Sequence, residues 1–133
     1  PNASQQAVSP DGRHVAFLAD EAGAGRSIWV RPLGSLAAQK LDRTDGATFP
    51  FWSPDSQFIA FFQDGKLRRI PVSGGSPLAI CDAPAGEGGT WSRDGVIVFA
   101  PASTGPLHRV LAAGGVPAPV TELQECVLEN ALE

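Results

Sequence analysis

The sequence predicts an all-β chain made of three similar units, and two observations carry this prediction. A turn of the form Ser-x-Asp-Gly, with Ser in place of Gly in the second copy, occurs three times, starting at Ser9, Ser53 and Ser92. Each turn opens a strongly hydrophobic run, and the copies recur at intervals of about 40 residues, which is the period of a four-stranded propeller blade. The predicted fold is therefore a β-propeller arrangement with three four-stranded antiparallel blades in this chain.

Each copy reads as four strands in order. The first strand is the short apolar lead before the turn, and the second is the hydrophobic run after it, at 15–18, 58–62 and 96–99. A loop then leads to a third strand at 27–33, 66–72 and 107–111, and a hairpin leads to a fourth strand at 39–41, 78–81 and 119–123. Glycine pairs supply the positive φ angles that tight hairpins need, at Gly74-Gly75 and Gly114-Gly115, and Gly34-Ser35 stands there in the first copy.

The second strands are apolar at consecutive positions, which indicates that both of their faces are buried. A sheet with one face in water would alternate apolar and polar residues, whereas a strand covered on both faces need not. Propeller blades are sandwiched between neighbouring blades, so this pattern agrees with the repeat. The runs are too short, and too closely bounded by Gly, Pro and Asp, to form helices.

These motifs resemble a known family of repeats. The pattern Ser-Pro-Asp-Gly-Arg-x-x-Ala-Phe followed by Ile-Trp-Val-x-x-Leu, within residues 9–33, is similar to the WD-like propeller repeat of TolB-type proteins. Segments 49–56 and 88–101 look like the propeller region attached to some bacterial serine/threonine protein kinases. The resemblance covers about residues 5–123, implies the fold, and brings no family catalytic residue with it, because the signature residues build blades.

The predicted blades occupy residues 1–46, 47–86 and 87–123. The resemblance implies six or more blades in one chain, but the pattern stops after Leu123. For residues 124–133 we expect a short helix, since apolar residues recur there four positions apart, with an extended or disordered end or a cloning remnant as the alternatives. The chain contains no Met, which indicates a processed, excised or designed chain.

Composition argues against nucleic acid as a partner and against membrane insertion. Fourteen Asp and Glu outnumber ten Lys and Arg, whereas a phosphate-binding surface needs a basic excess or a basic stripe. The one basic cluster, formed by Lys66, Arg68 and Arg69, is predicted to lie on a solvated blade edge, with a contact to an acidic partner as the alternative. No stretch approaches the ~18 apolar residues of a membrane span.

The sequence offers no catalytic, cofactor-binding or metal-binding constellation. The aspartates of the three turns would be separated by whole blades, so we expect each to accept backbone N–H groups in its own turn. His14 and His108 have no partner at a metal-ligand spacing, and no Gly-x-Ser-x-Gly elbow, phosphate loop or kinase motif is present. Cys81 is predicted to be a core residue, and a disulfide to Cys126 is a minor alternative. The residues expected to carry the structural repeat are Asp11, Asp55, Asp94, Trp52, Trp91, Gly74, Gly75, Gly114 and Gly115.

Three functional readings remain open. The first is a non-catalytic interaction or sensor module with a protein, peptide or small ligand, which self-assembles into a closed propeller. Two such chains would give six blades, within the common range of sizes, so a homodimer is expected. The second is an accessory gating or regulatory propeller of a larger enzyme such as a kinase or peptidase, and the third is an engineered fragment made to study assembly. The resemblance implies a bacterial, extracytoplasmic (periplasmic) location.

Overall fold

The computed structural model describes residues 6–21 and 25–120, and these residues form three four-stranded sheets and no helix. Blade 1 comprises β1 (Gln6–Val8), β2 (His14–Glu21), β3 (Gly25–Pro32) and β4 (Gln39–Lys40). Blade 2 comprises β5 (Thr48–Trp52), β6 (Phe58–Gln63), β7 (Lys66–Pro71) and β8 (Leu78–Asp82). Blade 3 comprises β9 (Gly89–Trp91), β10 (Val96–Phe99), β11 (His108–Leu111) and β12 (Ala118–Pro119).

Every blade is an antiparallel meander, in which each strand pairs with the one before it along the chain. The first strands of successive blades are neighbours, since β1 lies beside β5 and β5 lies beside β9. The three sheets therefore stand side by side with their first strands innermost, as the blades of a propeller do. This arrangement confirms the predicted all-β fold of three four-stranded blades.

Two hydrophobic clusters hold the blades together, one at each junction. Between blades 1 and 2 the cluster includes Leu18, Ile28 and Phe61, and between blades 2 and 3 it includes Phe62 and Phe99. Phe61 and Phe62 of β6 are adjacent in sequence and point to opposite neighbours, because successive side chains of a strand alternate. The consecutive apolar residues of this strand are thus explained by burial on both faces.

The connection from blade 1 to blade 2 is fastened by polar side chains. The buried Thr44 hydroxyl donates to the Leu41 carbonyl at 2.7 Å and accepts the N–H of Ile28 at 2.9 Å. The Gln63 amide of blade 2 donates to the carbonyls of Arg43 and Asp45 at 2.9 and 2.8 Å. Buried polar groups of this loop are therefore paired, which fixes how one blade follows the next.

The end blades each leave one face without a neighbouring blade among the described residues. Strand alternation and register place a shared set of residues on the open face of blade 1: Val8, Val15, Phe17, Trp29 and Arg31. The open face of blade 3 carries Thr90, Val96, Val98, Arg109 and Leu111. Phe99 lies on the other face of this sheet: it is only 1% exposed and packs toward blade 2.

Three other details differ from the sequence prediction. Arg68 and Arg69 do not lie on a solvated edge: both are half-buried, and the Arg69 guanidinium stacks over the Phe58 ring at 5.3 Å. Gly34 has no positive φ: the Ser35 N–H binds the Pro32 carbonyl as the Gly74 N–H binds the Pro71 carbonyl, so Gly34 stands one position before the first glycine of the pair. The fourth strand of blade 3 is assigned only to Ala118–Pro119, and the expected tail helix at 124–133 lies outside the described residues.

Candidate functional site

The Ser-x-Asp turns of blades 1 and 2 share one hydrogen-bond arrangement. In blade 2 the Ser53 hydroxyl donates to Asp55 Oδ1 at 2.6 Å, and the same oxygen accepts the N–H of Gln57 at 3.1 Å. The Ser53 hydroxyl in turn accepts the N–H of Phe58 at 2.9 Å. Asp11 of blade 1 has the equivalent bonds, from the Ser9 hydroxyl and from the Arg13 N–H at 3.0 Å.

The third turn is built differently. Its hairpin is one residue shorter, because the Ser92 N–H reaches the carbonyl of Val96 four residues on, whereas Ser53 reaches Phe58 five residues on. The Val96 N–H donates to the Ser92 hydroxyl at 3.3 Å, so the N–H two residues after Asp94 is already used. Asp94 consequently makes none of the side-chain bonds found at Asp55.

These hydrogen bonds lower the pKa values of the two aspartates that accept them. The Ser9 hydroxyl, and after it the Arg13 N–H, lower the pKa of Asp11 below its ordinary value. The Ser53 hydroxyl and the Gln57 N–H do the same for the pKa of Asp55. Hydrogen bonds that favour the charged form have this effect on a carboxylate. Each aspartate acts within its own turn, and the structure does not bring the three together.

The glycine pairs occupy the hairpins between the third and fourth strands. Gly74 and Gly75 have φ of 111° and 132°, and Gly114 and Gly115 have φ of 114° and 152°. These angles strain any residue with a Cβ atom, so the hairpins depend on glycine. They build the blade edge and present no side chain for chemistry.

The two repeat tryptophans, Trp52 and Trp91, occupy equivalent positions but different environments. Trp52 pairs with Ile59 in the register, is buried between blades 1 and 2, and donates its indole N–H to the Ala7 carbonyl at 2.8 Å. Trp91 pairs with Ile97 in the same way, yet it is half-buried and no described residue accepts its indole N–H. The repeat is therefore interrupted at Trp91.

A cleft opens at this point, and we call it the blade 2–3 cleft. It has a volume of about 500 Å³ and lies between the second and third Ser-x-Asp turns. The rings of Phe58 and Trp91 lie in it with centroids 6.2 Å apart, tilted by 36°. Arg93 and Asp55 flank the rings, and both are exposed. The cleft thus combines an aromatic floor with one positive and one negative rim residue.

A comparable cleft of about 510 Å³ lies between blades 1 and 2. It is lined by His14 and Asp11 on blade 1 and by Ser56 and Gln57 on blade 2, with no aromatic ring apart from the imidazole. The Ser56 hydroxyl there accepts the Asp11 N–H at 3.2 Å, which joins the two turns across the junction. A polar contact thus joins the turns at this junction, whereas an aromatic pair lies at the other.

The remaining candidate groups do not assemble into a reactive site. No group of three or more His, Cys, Asp or Glu is placed to hold a metal within residues 6–21 and 25–120. Burial raises the pKa of the Cys81 thiol to about 11, so this thiol is protonated at neutral pH. His108 packs against the Phe99 ring edge-on at 6.0 Å, far along the chain from His14.

Sequence reasoning missed the residues that distinguish the blade 2–3 cleft. The sequence predicts Phe58 and Arg69 to be blade residues and Arg93 to be a turn residue. The available signal was a departure from the repeat: Arg93 stands where Pro10 and Pro54 stand in the other copies. Such a departure marks a position that the blade itself does not require.

No family model matches the chain, and no curated protein matches it either. Several solved structures do. A putative TolB from Agrobacterium tumefaciens is 22% identical with a TM-score of 0.71, over 85% of this chain and 47% of that one. TolB from Acinetobacter baumannii is 19% identical with a TM-score of 0.67, over 87% of this chain and 31% of that one.

A third match is the β-propeller domain of the Trilobed protease from Pyrococcus furiosus, described as having an open velcro topology. It is 21% identical with a TM-score of 0.61, over 91% of this chain and 44% of that one. The chain therefore spans less than half the length of each of these three structures. The kinase-linked part of the expected resemblance stays a prediction. What the matches show is the fold, and this chain has the fold of three consecutive blades of a TolB-type β-propeller.

Proposed function

We propose that this chain is a non-catalytic interaction module in which two copies pair through their open blade faces to close a ring of six blades. The observation that carries the proposal is the internal symmetry of the three blades. The open faces consist of the same positions that form the two junctions already present. Unlike those junctions, they lack a neighbouring blade among the described residues.

The phenylalanine of the second strand illustrates this on blade 1. Phe17, Phe61 and Phe99 follow equivalent register positions on β2, β6 and β10. Phe61 is 0% exposed and Phe99 is 1% exposed, because a preceding blade covers each of them. Phe17 has no preceding blade and is half-buried. Val8, which stands where the other blades have tryptophan, is 58% exposed.

The open face of blade 3 lacks a following blade among the described residues. Val98 is equivalent to Ala16 and Ala60, both of which are fully buried against the following blade. Val98 is half-buried, and Leu111 on the same open face is 58% exposed. Two cavities of about 280 and 380 Å³ lie on this side of the sheet. Exposed apolar surface of this kind is typical of an interface.

The pairing would be head-to-tail, with blade 3 of one chain against blade 1 of the other. Such a contact uses two different surfaces, so it must close into a ring or continue as a filament. Two chains contribute six blades, which falls within the usual range of four to eight, whereas three chains contribute nine. A two-chain ring is therefore the proposed assembly.

Light scattering on the purified chain tests this proposal. We expect twice the mass of one 13.8 kDa chain. Leu111→Glu should weaken the dimer by about tenfold or more, because it places a charge in the apolar contact. Leu36→Glu is the matched control, since Leu36 lies in a hairpin and is 97% exposed. A single-chain mass at every concentration would refute the proposal.

A second role is favoured by one comparison. The propeller domain of a protease matches this chain, which supports an accessory gating or regulatory propeller of a larger enzyme. Reading the coding sequence on both sides of this segment tests that role. An in-frame peptidase or kinase domain would support it, and stop codons on both sides would contradict it.

The proposed module would act outside the cytoplasm, in keeping with its resemblance to TolB-type proteins. Within residues 6–21 and 25–120 there is no helix with the length and apolar character required to cross a membrane. A signal-dependent export assay with the native gene tests the location. Recovery of the protein in the periplasmic fraction is the expected result.

A further inference from the structure

We propose that the blade 2–3 cleft binds an extended peptide segment in which an aromatic residue is followed by an acidic one. The cleft lies within a single chain, so the proposal does not depend on pairing between chains. It goes beyond the proposed assembly, because it assigns a ligand to a surface that the assembly does not use.

The floor of the cleft suits an aromatic side chain. Phe58 and Trp91 are tilted toward each other at 6.2 Å, and both rings are half-buried, so part of each ring faces solvent. Arg69 stacks over Phe58 at 5.3 Å and holds that ring in place. A third ring inserted beside Trp91 would extend the cluster in the offset geometry that aromatic groups prefer.

The polar groups at the rim complement a peptide backbone and a carboxylate. Arg93 is exposed and forms no ion pair or hydrogen bond with any described residue, so its guanidinium is available to a ligand carboxylate. Across the cleft, Asp55 uses Oδ1 for Ser53 and Gln57 and leaves Oδ2 open among the described residues. That oxygen can accept a peptide N–H. The Trp91 indole N–H can donate to a peptide carbonyl.

The blade 1–2 junction shows that this cleft is not a by-product of the repeat. Where the blade 2–3 cleft has Phe58 and Arg93, the corresponding positions at the other junction are His14 and Pro54. Trp52 is closed off there by its hydrogen bond to Ala7. The tryptophan N–H is thus used at one junction, and the other keeps an aromatic pair beside an arginine that no described residue pairs with.

The test uses three capped tetrapeptides with the native chain. The probe is acetyl-Gly-Phe-Asp-Gly-amide, and the two comparison peptides replace Phe by Leu or Asp by Asn. Binding is followed through tryptophan fluorescence, and Trp91→Phe identifies the signal that comes from Trp91. We expect saturable binding of the probe, with each comparison peptide bound about threefold more weakly or worse.

Two substitutions separate recognition from stability. Arg93→Gln should weaken binding of the probe about threefold or more and abolish the preference for Asp over Asn, because it removes the rim cation. Arg13→Gln, which changes an exposed arginine on the first turn, should leave binding unchanged. Trp91→Ala should weaken binding about tenfold, and Arg93→Gln keeps the test decisive if that variant does not fold. Equal affinity for all three peptides, or no effect of Arg93→Gln, would overturn the proposal while leaving the mass of the assembly unchanged.

Discussion

Asp55→Ala should destabilise the chain, whereas Asp94→Ala should have little effect. The two aspartates hold the same place in the sequence repeat, but only Asp55 receives hydrogen bonds from its turn. Its Oδ1 accepts from the Ser53 hydroxyl at 2.6 Å and from the Gln57 N–H at 3.1 Å. Asp94 has neither bond, because the third hairpin is one residue shorter.

The expected loss for Asp55→Ala is about 1 kcal/mol of the free energy of unfolding. A net hydrogen bond contributes roughly 0.5–1.5 kcal/mol, and the exposure of this carboxylate keeps the sum at the low end because water replaces part of each bond. For a chain of this size that loss lowers Tm by about 3–5 °C. Ser53 stays partly satisfied, since its hydroxyl still accepts the Phe58 N–H.

Urea unfolding followed by tryptophan fluorescence measures both variants against the parent chain. The measurement is repeated with added calcium, and no change is expected, because the aspartate acts on its own turn. An Asp94→Ala variant as unstable as Asp55→Ala would refute the turn-bond reasoning. A free energy of unfolding that rises with calcium in the parent chain but not in Asp55→Ala would show a metal site instead.

Two further predictions concern stability. The pKa values of Asp11 and Asp55 are lowered in the folded chain, so both carboxylates stabilise it above the unfolded pKa of about 4, and this contribution is lost as the pH falls below that value. In the double variant Asp11→Asn/Asp55→Asn, the free energy of unfolding should therefore depend less on pH between about pH 5 and 2. A pH dependence as steep as that of the parent chain would contradict this. Gly86→Ala should cost about 1–3 kcal/mol in urea unfolding, because its Cβ would lie 2.2 Å from the Phe62 ring. Gly34→Ala, with open space around the added atom, is its control, and equal stability of the two variants would contradict the reasoning.

The fold could be predicted from the sequence because the signals that encode it are repeated. A Ser-x-Asp turn before each hydrophobic run sets the period, and the consecutive apolar residues of β6 indicate burial on both faces. Each blade repeats the same local chemistry, so one copy supports the reading of the next. The direction of single residues was harder to predict: Phe99 lies toward blade 2 because it holds the register position that Phe61 holds in blade 2.

The candidate site could not be predicted, because it combines side chains from two blades, and the repeat pattern does not show which side chains of neighbouring blades meet. Phe58 and Arg69 come from blade 2, and Trp91 and Arg93 come from blade 3. Their proximity follows from how the sheets stack and has no periodic signature. Arg69 in particular is predicted to lie in solvent, but it is on a strand paired on both sides and its guanidinium stacks over the Phe58 ring.

The central claim is that the open face of blade 1 meets the open face of blade 3 of a second chain. By the internal symmetry, Val8 and Val96 should then face each other as Trp91 and Phe58 do, whose ring centroids lie 6.2 Å apart. A Val8→Cys/Val96→Cys variant, with Cys126 replaced by Ser, is treated with a short thiol cross-linker. We predict a covalent species of two chains from the double variant and only single chains from either single variant. Absence of that species, or equal cross-linking of the single variants, would contradict the account.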